Sequence, residues 1–247
     1  MQYHVATFHK CASNWTRRLF RDVADQRRMS IWVDQPNDAA INHCVDRGTE
    51  DVLCIYRNGI KRNFEFKANG DAPVVLCVRD PKDVLVSQYW SWKSTHVNNT
   101  DRINAVRAKL GNVDVREGLM ILLDEDLVSF CTYVAEWPDP AQDSNIHLLR
   151  YESLLETFEP ALQAAAQHIG LSLDAAYIAT LREKYAFRNF ANRDPGEEDR
   201  SSHYRKGVQG DWADHFDAAL ARAFDDRYGN VCDMLGYERA DQALRRS

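Results

Sequence analysis

Short apolar runs alternate with longer amphipathic segments along most of the 247-residue chain. The apolar runs have strand length and predict strands at Tyr3–Phe8, Ser30–Val33, Asp51–Tyr56, Ala72–Val78 and Asn145–Leu149. The fourth run, APVVLCV, is continuously apolar, as in strands that are buried on both faces of a parallel sheet. Because helical segments separate these strands, the pattern predicts an α/β fold with a central, mostly parallel sheet flanked by helices.

Helical periodicity predicts a helix over Asn14–Gln26, directly after the first strand. Another helix is predicted after the fourth strand, where Asp80 can cap a helix that starts at Pro81. Further helices are predicted at Leu119–Trp137, Thr157–Ile169, Leu173–Tyr185 and Ala213–Leu235. The segments Val97–Gly118 and Phe190–His203 are polar and irregular, and they predict loops.

Composition and charge narrow the function classes. The formal net charge is −6, which disfavours a general nucleic-acid-binding surface but leaves room for a local anion site. No apolar run approaches the roughly 20 residues of a membrane span, and the start MQYHVATF lacks the regions of a secretory signal. The six cysteines form no close C-x-x-C pair, so we expect reduced thiols, no zinc site and a cytoplasmic protein.

Two predicted strand ends carry a cation at the point where a helix begins. Lys10 lies in the loop HKCASNW, and Arg79 leaves the buried fourth strand. Parallel sheets bind ligands at the carboxyl ends of their strands, and helix N-termini attract anions. The loop lacks the glycines of the Walker pattern, which disfavours ATP or GTP hydrolysis. An ordinary strand-to-helix turn with a solvated Lys10 is the alternative.

Ser87 lies two turns along the helix that follows Arg79. An arginine can donate two hydrogen bonds to a phosphate, and a serine hydroxyl can add another. The alternative is a surface pair between Arg79 and Asp80, with Ser87 buried and hydrogen-bonded to its own helix.

The segment HYRKGVQGDWADHF, residues 203–216, makes the pattern specific. RKGVQGDW resembles the R-K-G-x-x-G-D-W signature of cytosolic-type sulfotransferases, which use 3′-phosphoadenosine-5′-phosphosulfate (PAPS). RDPKDVLVS is similar to the second motif of that family, and HKCASNW falls where the family has P-K-S-G-T-T-W. LLRYESLLETFEPALQAAAQHIGL resembles its Y-E-D-L segment and the helix that follows. The four motifs occur in family order over residues 5–237, and the resemblance implies a bacterial-like branch of the family.

The resemblance implies a P-loop-like sulfotransferase fold, with residues 1–247 forming a single domain. It also implies in-line transfer of the sulfuryl group from PAPS to a hydroxyl or amine of a small-molecule acceptor, which leaves 3′-phosphoadenosine-5′-phosphate (PAP). The family needs no essential metal, and no nucleic-acid partner is implied. A homodimer is compatible with the resemblance, because related enzymes are often dimers.

The resemblance further implies roles for individual residues. Lys10 would contact the 5′-phosphate and the bridging oxygen, where it would stabilise charge on the leaving group. The loop residues that would bind the same phosphate are Cys11, Ala12, Ser13 and Asn14. Ala12 replaces the usual glycine, and we expect it to let the backbone approach the phosphate with a negative φ.

The remaining cofactor roles concern the 3′-phosphate and the adenine. Arg79 and Ser87 match the pair that holds the 3′-phosphate. The loop that would close over this phosphate contains Arg205, Lys206 and Gly207, and Gly207 would let the backbone approach it. The aromatic side chains that would contact the adenine are Trp15, Tyr151 and Phe187.

The catalytic base is where the resemblance fails. The family has a histidine in K-T-H-x-P about twenty residues before R-[DN]-P-K-D, whereas this chain has CIYRNGI with Arg57. Asp34, His96 and His43 are the candidate replacements. Each candidate also has a non-catalytic interpretation. Asp34 could cap a turn before a proline, His96 could be a solvated histidine, and His43 could be a surface residue of a helix. The acceptor pocket would come from loops at residues 35–60 and 92–118.

Two other functions stay open at this point. A kinase-like transferase could use the same phosphate cradle with a nucleotide such as ATP. A PAPS-binding module without catalytic activity would explain why the expected histidine is replaced by Arg57.

Overall fold

The computed structural model describes residues 1–34, 44–68, 72–96, 101–125 and 128–246. The chain divides into two compact units. The sheet unit comprises Met1–Arg79 and Thr132–Ala186, and the helical unit comprises Asp80–Cys131 and Phe187–Ser247.

The sheet unit is built on five described strands, all parallel, in the order β2-β3-β1-β4-β5. They are β1 (Gln2–Thr7), β2 (Ser30–Val33), β3 (Val52–Arg57), β4 (Val74–Val78) and β5 (Ile146–Arg150). Every residue of β4 is buried, as its continuous apolar run predicts. The predicted α/β fold with a parallel sheet is confirmed, and the predicted strand limits differ from the observed ones by up to two residues.

Helices pack beside this sheet within the same unit. They are α1 (Ser13–Gln26), α2 (Lys61–Ala68), α7 (Tyr151–Glu156), α8 (Phe158–His168) and α9 (Ala175–Lys184). On α1, Leu19, Phe20 and Val23 are buried, at the spacing of one helix face. This face holds the start of α1 at the carboxyl end of β1, where Lys10 lies.

The helical unit begins with α3 (Pro81–Trp90), which continues as a π-helical turn (Ser91–Thr95). The predicted start is confirmed, because the Asp80 carboxylate accepts the Lys82 N–H at 2.9 Å and Pro81 occupies the first helical position. The other elements of the unit are α4 (Asp101–Gly111), α5 (Val115–Asp124), α10 (Arg188–Ala191), a 3₁₀ turn (Asp211–Asp214), α11 (Ala218–Leu235) and α12 (Ala240–Leu244). The helix α6 (Ser129–Val134) leads from the helical unit into the sheet unit.

Three predicted elements were wrong in part. The segment predicted as a loop at 97–118 contains α4, whose apolar residues Ile103, Val106 and Leu110 are buried among many charged neighbours. The single helix predicted at 119–137 is two helices, α5 and α6. The helix predicted from residue 213 begins only at α11, because Asp217 caps it by accepting the N–H groups of Ala219 and Leu220. Within the described residues, no helix combines the length and the apolar character needed to cross a bilayer.

Candidate functional site

The carboxyl edge of the sheet gathers the polar residues that follow its strands. Because the strands are parallel, their carboxyl ends lie along one edge of the sheet. In the order of the strands, the residues at this edge are Asp34 after β2, Arg57 at the end of β3, Lys10 after β1, Arg79 after β4 and Tyr151 after β5. Cationic side chains therefore follow three neighbouring strands, β3, β1 and β4. This concentration of positive charge indicates an anion site in a chain whose net charge is −6.

The loop between β1 and α1 has an unusual backbone. Lys10 has φ 64° and Ala12 has φ 53°, both in the left-handed region, and the Cys11 N–H donates to the Phe8 carbonyl at 3.2 Å. The expectation of a negative φ at Ala12 was wrong. Left-handed residues that alternate with ordinary ones can turn successive N–H groups toward one concavity, which favours an anion. Without glycine this conformation costs about 1–2 kcal/mol per residue, and such strain is concentrated at functional sites.

The N-terminus of α1 adds to the positive character of this loop. Ala12, the residue at the N-cap position of α1, provides no side-chain hydrogen bond, and the first turn of α1 contains no acidic residue. The first N–H groups of a helix lack partners within the helix, and the helix dipole places partial positive charge there. An anion bound at Ser13 and Asn14 would satisfy these groups.

Lys10 is affected by its position near a second cation. Burial and, to a smaller extent, the charge of Arg79 together lower the pKa of Lys10 from its usual value to about 7. An anion bound here would oppose both effects and favour the charged amine. The neighbouring Cys11 side chain is buried, and burial raises the pKa of its thiol.

Aromatic side chains lie beside Arg79 in the sheet unit. The Arg79 guanidinium lies 4.6 Å from the centre of the Tyr151 ring. The Trp15 ring meets Tyr151 edge to face at 6.0 Å, and its indole N–H donates to the Tyr185 carbonyl at 3.1 Å. The two aromatic residues predicted to contact adenine in this unit are therefore in contact with each other.

Asp34 connects three elements of the sheet unit. One carboxylate oxygen accepts the Arg57 N–H at 2.9 Å, and the other accepts the Asn63 side-chain amide at 2.8 Å. Asp34 thus touches the backbone of Arg57, the residue that the sequence comparison with the family motif predicts near the position of the histidine. Pro36 and His43 lie outside the described residues.

In the helical unit, hydrogen bonds connect two of the motifs that resemble the family, RDPKD and RKGVQGDW. The Asp83 carboxylate accepts the Gly210 N–H at 2.9 Å and the Trp212 N–H at 3.0 Å. Lys82 is buried, pairs with Asp80 at 3.0 Å, and lies 5.0 Å from the centre of the Trp212 ring. Lys82 and Asp83 in RDPKD therefore have a structural role that sequence reasoning missed.

Ser87 lies on the same helix, α3. All ten residues of α3 are described, and Ser87 alone is not fully buried. Ser87 is therefore the residue of α3 whose side chain is most accessible to a ligand.

Asp211 organises the loop that contains Arg205 and Lys206. Its side chain is 1% exposed, and it accepts hydrogen bonds from both cations, with His215 at 3.4 Å. Burial alone would raise the pKa of the Asp211 carboxyl, but hydrogen bonds from His215 and Lys206, together with Arg205, hold it below its usual range. Arg205 also pairs with Glu198 at 2.5 Å. Sequence reasoning missed Asp211, although it stands in the GDW part of the signature.

Gly207 is required by the packing of its own unit. Its φ is 68°, and a Cβ atom at this position would lie 2.4 Å from the Phe187 ring. The predicted reason for this glycine was the approach of a phosphate, and the structure adds that the Phe187 ring occupies the space of a side chain. Phe187 and Gly207, both predicted to bind the cofactor, are in contact.

Replacing Gly207 by alanine is expected to lower the free energy of unfolding by about 2–5 kcal/mol. The left-handed backbone accounts for about 1–2 kcal/mol of this loss, and overpacking against Phe187 accounts for about 1–3 kcal/mol. Chemical denaturation measures the change. Gly210→Ala is the matched control, since Gly210 has φ 75° but its Cβ would meet nothing within 4 Å. Gly210→Ala should lower the free energy of unfolding only by the backbone contribution. An equal decrease in the free energy of unfolding for the two variants would contradict the role assigned to Phe187.

The structure distributes the predicted site residues between the two units. The sheet unit holds Lys10, Cys11, Ala12, Ser13, Asn14, Trp15, Asp34, Arg79 and Tyr151. The helical unit holds Ser87, His96, Phe187, Arg205, Lys206 and Gly207. His96 is half-buried, its N–H donates to the Ser91 carbonyl at 2.7 Å, and its carbonyl accepts from Arg107 at 2.9 Å. Across the described residues, no group of three or more His, Cys, Asp or Glu side chains could hold a metal ion.

Comparison with known sequences gives one family and several curated relatives. The model of the sulfotransferase domain family matches residues 64–240. Sulfotransferase 2A6 from Mus musculus is 26% identical over 164 residues, covering 62% of this chain and 54% of the relative. The 3-beta-hydroxysteroid sulfotransferase of Cavia porcellus is 26% identical over 183 residues, covering 67% of this chain and 57% of the relative. The chain thus spans little more than half the length of these relatives.

Solved structures show a similar fold. The crystal structure of mouse sulfotransferase SULT7A1 complexed with PAP has a TM-score of 0.67 at 17% identity, covering 99% of this chain and 88% of that one. Retinol dehydratase in complex with androsterone and inactive cofactor PAP has a TM-score of 0.59 at 16% identity, covering 94% and 80%. The family match begins at residue 64, so the Lys10 loop lies outside it.

Proposed function

This chain belongs to the sulfotransferase domain family, and on that basis we propose that it transfers the sulfuryl group of PAPS to a hydroxyl or amine of a small-molecule acceptor. The observation that carries the proposal is the carboxyl edge of the sheet, where Arg57, Lys10 and Arg79 follow three neighbouring strands beside the start of α1. Such an edge suits a ligand that carries several negative charges. That residues 1–247 act as one domain, and that the protein forms dimers, remain predictions.

Lys10 and the first turn of α1 would bind the 5′-phosphosulfate. In-line sulfuryl transfer places developing negative charge on the bridging oxygen as the bond to sulfur breaks. A lysine ammonium and backbone N–H groups that are already directed at that oxygen would stabilise the charge without reorganisation. The left-handed residues Lys10 and Ala12 support this role, because they shape the loop before α1.

Arg79, Trp15 and Tyr151 would bind the 3′-phosphoadenosine part in the sheet unit. Their mutual contacts hold an arginine and two aromatic rings together at the β4 and β5 end of the edge. By motif match, the helical unit would add Ser87 and the Arg205–Gly207 loop to the 3′-phosphate. The buried carboxylate of Asp211 supports this assignment, since it fixes the positions of Arg205 and Lys206.

The acceptor proton requires a base, and we propose Asp34 for this role. The family histidine would stand at the position of Arg57, and the Asp34 carboxylate lies 2.9 Å from the Arg57 backbone nitrogen. Asp34 also lies in the same unit as Lys10. His96 is the competing candidate, and its backbone bonds to Ser91 and Arg107 do not decide what its ring does.

Transfer of radiolabelled sulfate from PAPS to a panel of hydroxyl and amine acceptors tests this function. The expected result is a labelled product that depends on the protein. Tight PAP binding without transfer to any acceptor would instead support a binding module. Transfer of the γ-phosphate of labelled ATP to the same panel would support the kinase-like alternative.

Replacing Arg79 by alanine is expected to weaken PAP binding by about 100-fold, because a phosphate would lose charge-assisted hydrogen bonds. AMP lacks only the 3′-phosphate. If Arg79 binds that group, the affinity for AMP should fall by less than about threefold in the Arg79→Ala variant. Titration calorimetry with both nucleotides measures the difference. Arg79→Lys retains the charge but not the paired donors and should give an intermediate loss. Equal losses for PAP and AMP would contradict the assignment of Arg79 to the 3′-phosphate.

A further inference from the structure

The polar loop that precedes Arg205 in the helical unit brings a carboxylate to that residue. The Gly196 N–H donates to the Lys206 carbonyl at 2.8 Å, and the Asp199 N–H donates to the Arg205 carbonyl at 2.9 Å. Glu198 lies in the chain between the two residues that donate these bonds. The backbone of the loop therefore holds Glu198 beside Arg205, in addition to any bond between the two side chains.

Glu198 uses its two carboxylate oxygens for two different arginines. Its Oε1 accepts from Arg205 at 2.5 Å, and its Oε2 accepts from Arg200 at 3.0 Å. The two guanidinium groups lie 5.8 Å and 4.4 Å, respectively, from the ring centre of Trp90 on α3. Burial alone would raise the pKa of Glu198, but hydrogen bonds from Arg205 and Arg200 hold it below its usual range. Glu198 is therefore negatively charged at neutral pH.

Arg205 is shared between two carboxylates that are held with different firmness. The Asp211 side chain is 1% exposed, and it accepts from Lys206 at 2.5 Å as well as from Arg205. The Glu198 side chain is 27% exposed, and Arg200 provides it with a second partner. A buried carboxylate that loses a cation is destabilised far more than a partly exposed one. Of the two, Glu198 is therefore the carboxylate that can leave Arg205 when another anion arrives.

A phosphate that binds Arg205 would meet the charge of Glu198 at the same guanidinium. The two anions repel each other, and the bond to Glu198 occupies a donor from which the phosphate could accept. The Glu198 carboxylate also neutralises part of the positive charge that would attract the phosphate. Glu198 thus lowers the affinity of Arg205 for a phosphate, whereas the buried Asp211 fixes the position of the arginine.

We propose that Glu198 competes with the 3′-phosphate of the nucleotide for Arg205 and thereby speeds the release of PAP after sulfuryl transfer. This inference rests on the proposed function, in which Arg205 binds that phosphate, and it gives a role in product release to a residue outside the four motifs. Arg200 keeps the displaced carboxylate close to Arg205. Glu198 can then return to Arg205 as PAP leaves.

The test compares the wild-type chain with Glu198→Gln, which keeps an oxygen acceptor but removes the charge. The variant should bind PAP about five- to tenfold more tightly in calorimetry, and stopped-flow displacement should show a correspondingly slower dissociation of PAP. AMP lacks the 3′-phosphate, so its affinities for the two proteins should agree within about twofold. Asp226→Asn is the matched control, because Asp226 is an exposed carboxylate on α11 of the same unit, and it should leave both affinities unchanged.

Sulfate transfer from labelled PAPS, measured with the same proteins, separates this proposal from the proposed function. If Glu198→Gln binds PAP more tightly but neither protein transfers sulfate, the transferase function fails and the role of Glu198 stands. If sulfate is transferred but the two PAP affinities are equal, the role of Glu198 fails and the transferase function stands. Weaker PAP binding by the variant would mean that Glu198 holds Arg205 in place for the phosphate, and this result overturns the proposal. An equal gain for PAP and AMP, or no PAP binding by either protein, overturns it as well.

Discussion

Replacing Lys10 by methionine is expected to lower the rate of sulfuryl transfer by about 10³-fold at saturating donor and acceptor. The reason is that the Lys10 ammonium would stabilise charge on the bridging oxygen mainly in the transition state, so its loss should lower kcat more than it raises KM. Single-turnover kinetics with labelled PAPS measures the step. A loss confined to KM would contradict the catalytic role of Lys10.

Lys10→Arg is the control, because it retains the positive charge. Comparing this variant with the wild type shows whether the pH dependence of PAP affinity comes from Lys10. The pKa of Lys10 is about 7 in the free protein, and only the charged amine attracts the phosphates. Because this pKa is depressed in the free form and raised by a bound anion, wild-type PAP affinity should fall by up to about tenfold per pH unit above pH 7. The arginine variant stays charged and should lose this dependence. A wild-type affinity that does not change between pH 6 and pH 9 would contradict the account.

Replacing Asp34 by asparagine is expected to lower kcat by about 10²- to 10⁴-fold, the range typical of a lost general base. The asparagine can still accept the Arg57 N–H, so the end of β3 should keep its structure, and PAP affinity should stay within about threefold of the wild-type value. Steady-state sulfate transfer and PAP titration measure the two quantities.

His96→Gln is the matched test of the competing base. If Asp34 removes the acceptor proton, this variant should keep kcat within about threefold of wild type, because His96 would contribute no proton transfer. A large decrease in kcat for His96→Gln, together with a small decrease in kcat for Asp34→Asn, would assign the role of base to His96 instead.

Much of the sheet unit could be predicted from sequence because its signals are local. The APVVLCV run predicts a strand that is buried on both faces, and β4 is buried at each position. Asp80 and Pro81 predict the start of α3, because capping depends on residues that are adjacent in the chain. The carboxyl-edge location of Lys10 and Arg79 then follows from the parallel order of the strands.

Features that depend on residues distant in sequence could not be predicted in the same way. The left-handed backbone at Ala12 is imposed by how the loop joins β1 to α1, and alanine itself disfavours it. The bonds from Asp83 to Gly210 and Trp212 join residues more than 120 positions apart. The motif resemblance placed RDPKD and GDW in the same family without indicating that these bonds connect them.

The most direct test of the central claim, that the carboxyl edge binds a 3′-phosphorylated adenosine nucleotide, is the affinity of the wild-type chain for PAP and for AMP. The two ligands differ only in the 3′-phosphate, and calorimetry at pH 6.5 keeps Lys10 largely charged, since its pKa is about 7. We expect PAP to bind at least about 100-fold more tightly than AMP, because the 3′-phosphate adds charge-assisted hydrogen bonds. Equal affinities for PAP and AMP would contradict the account.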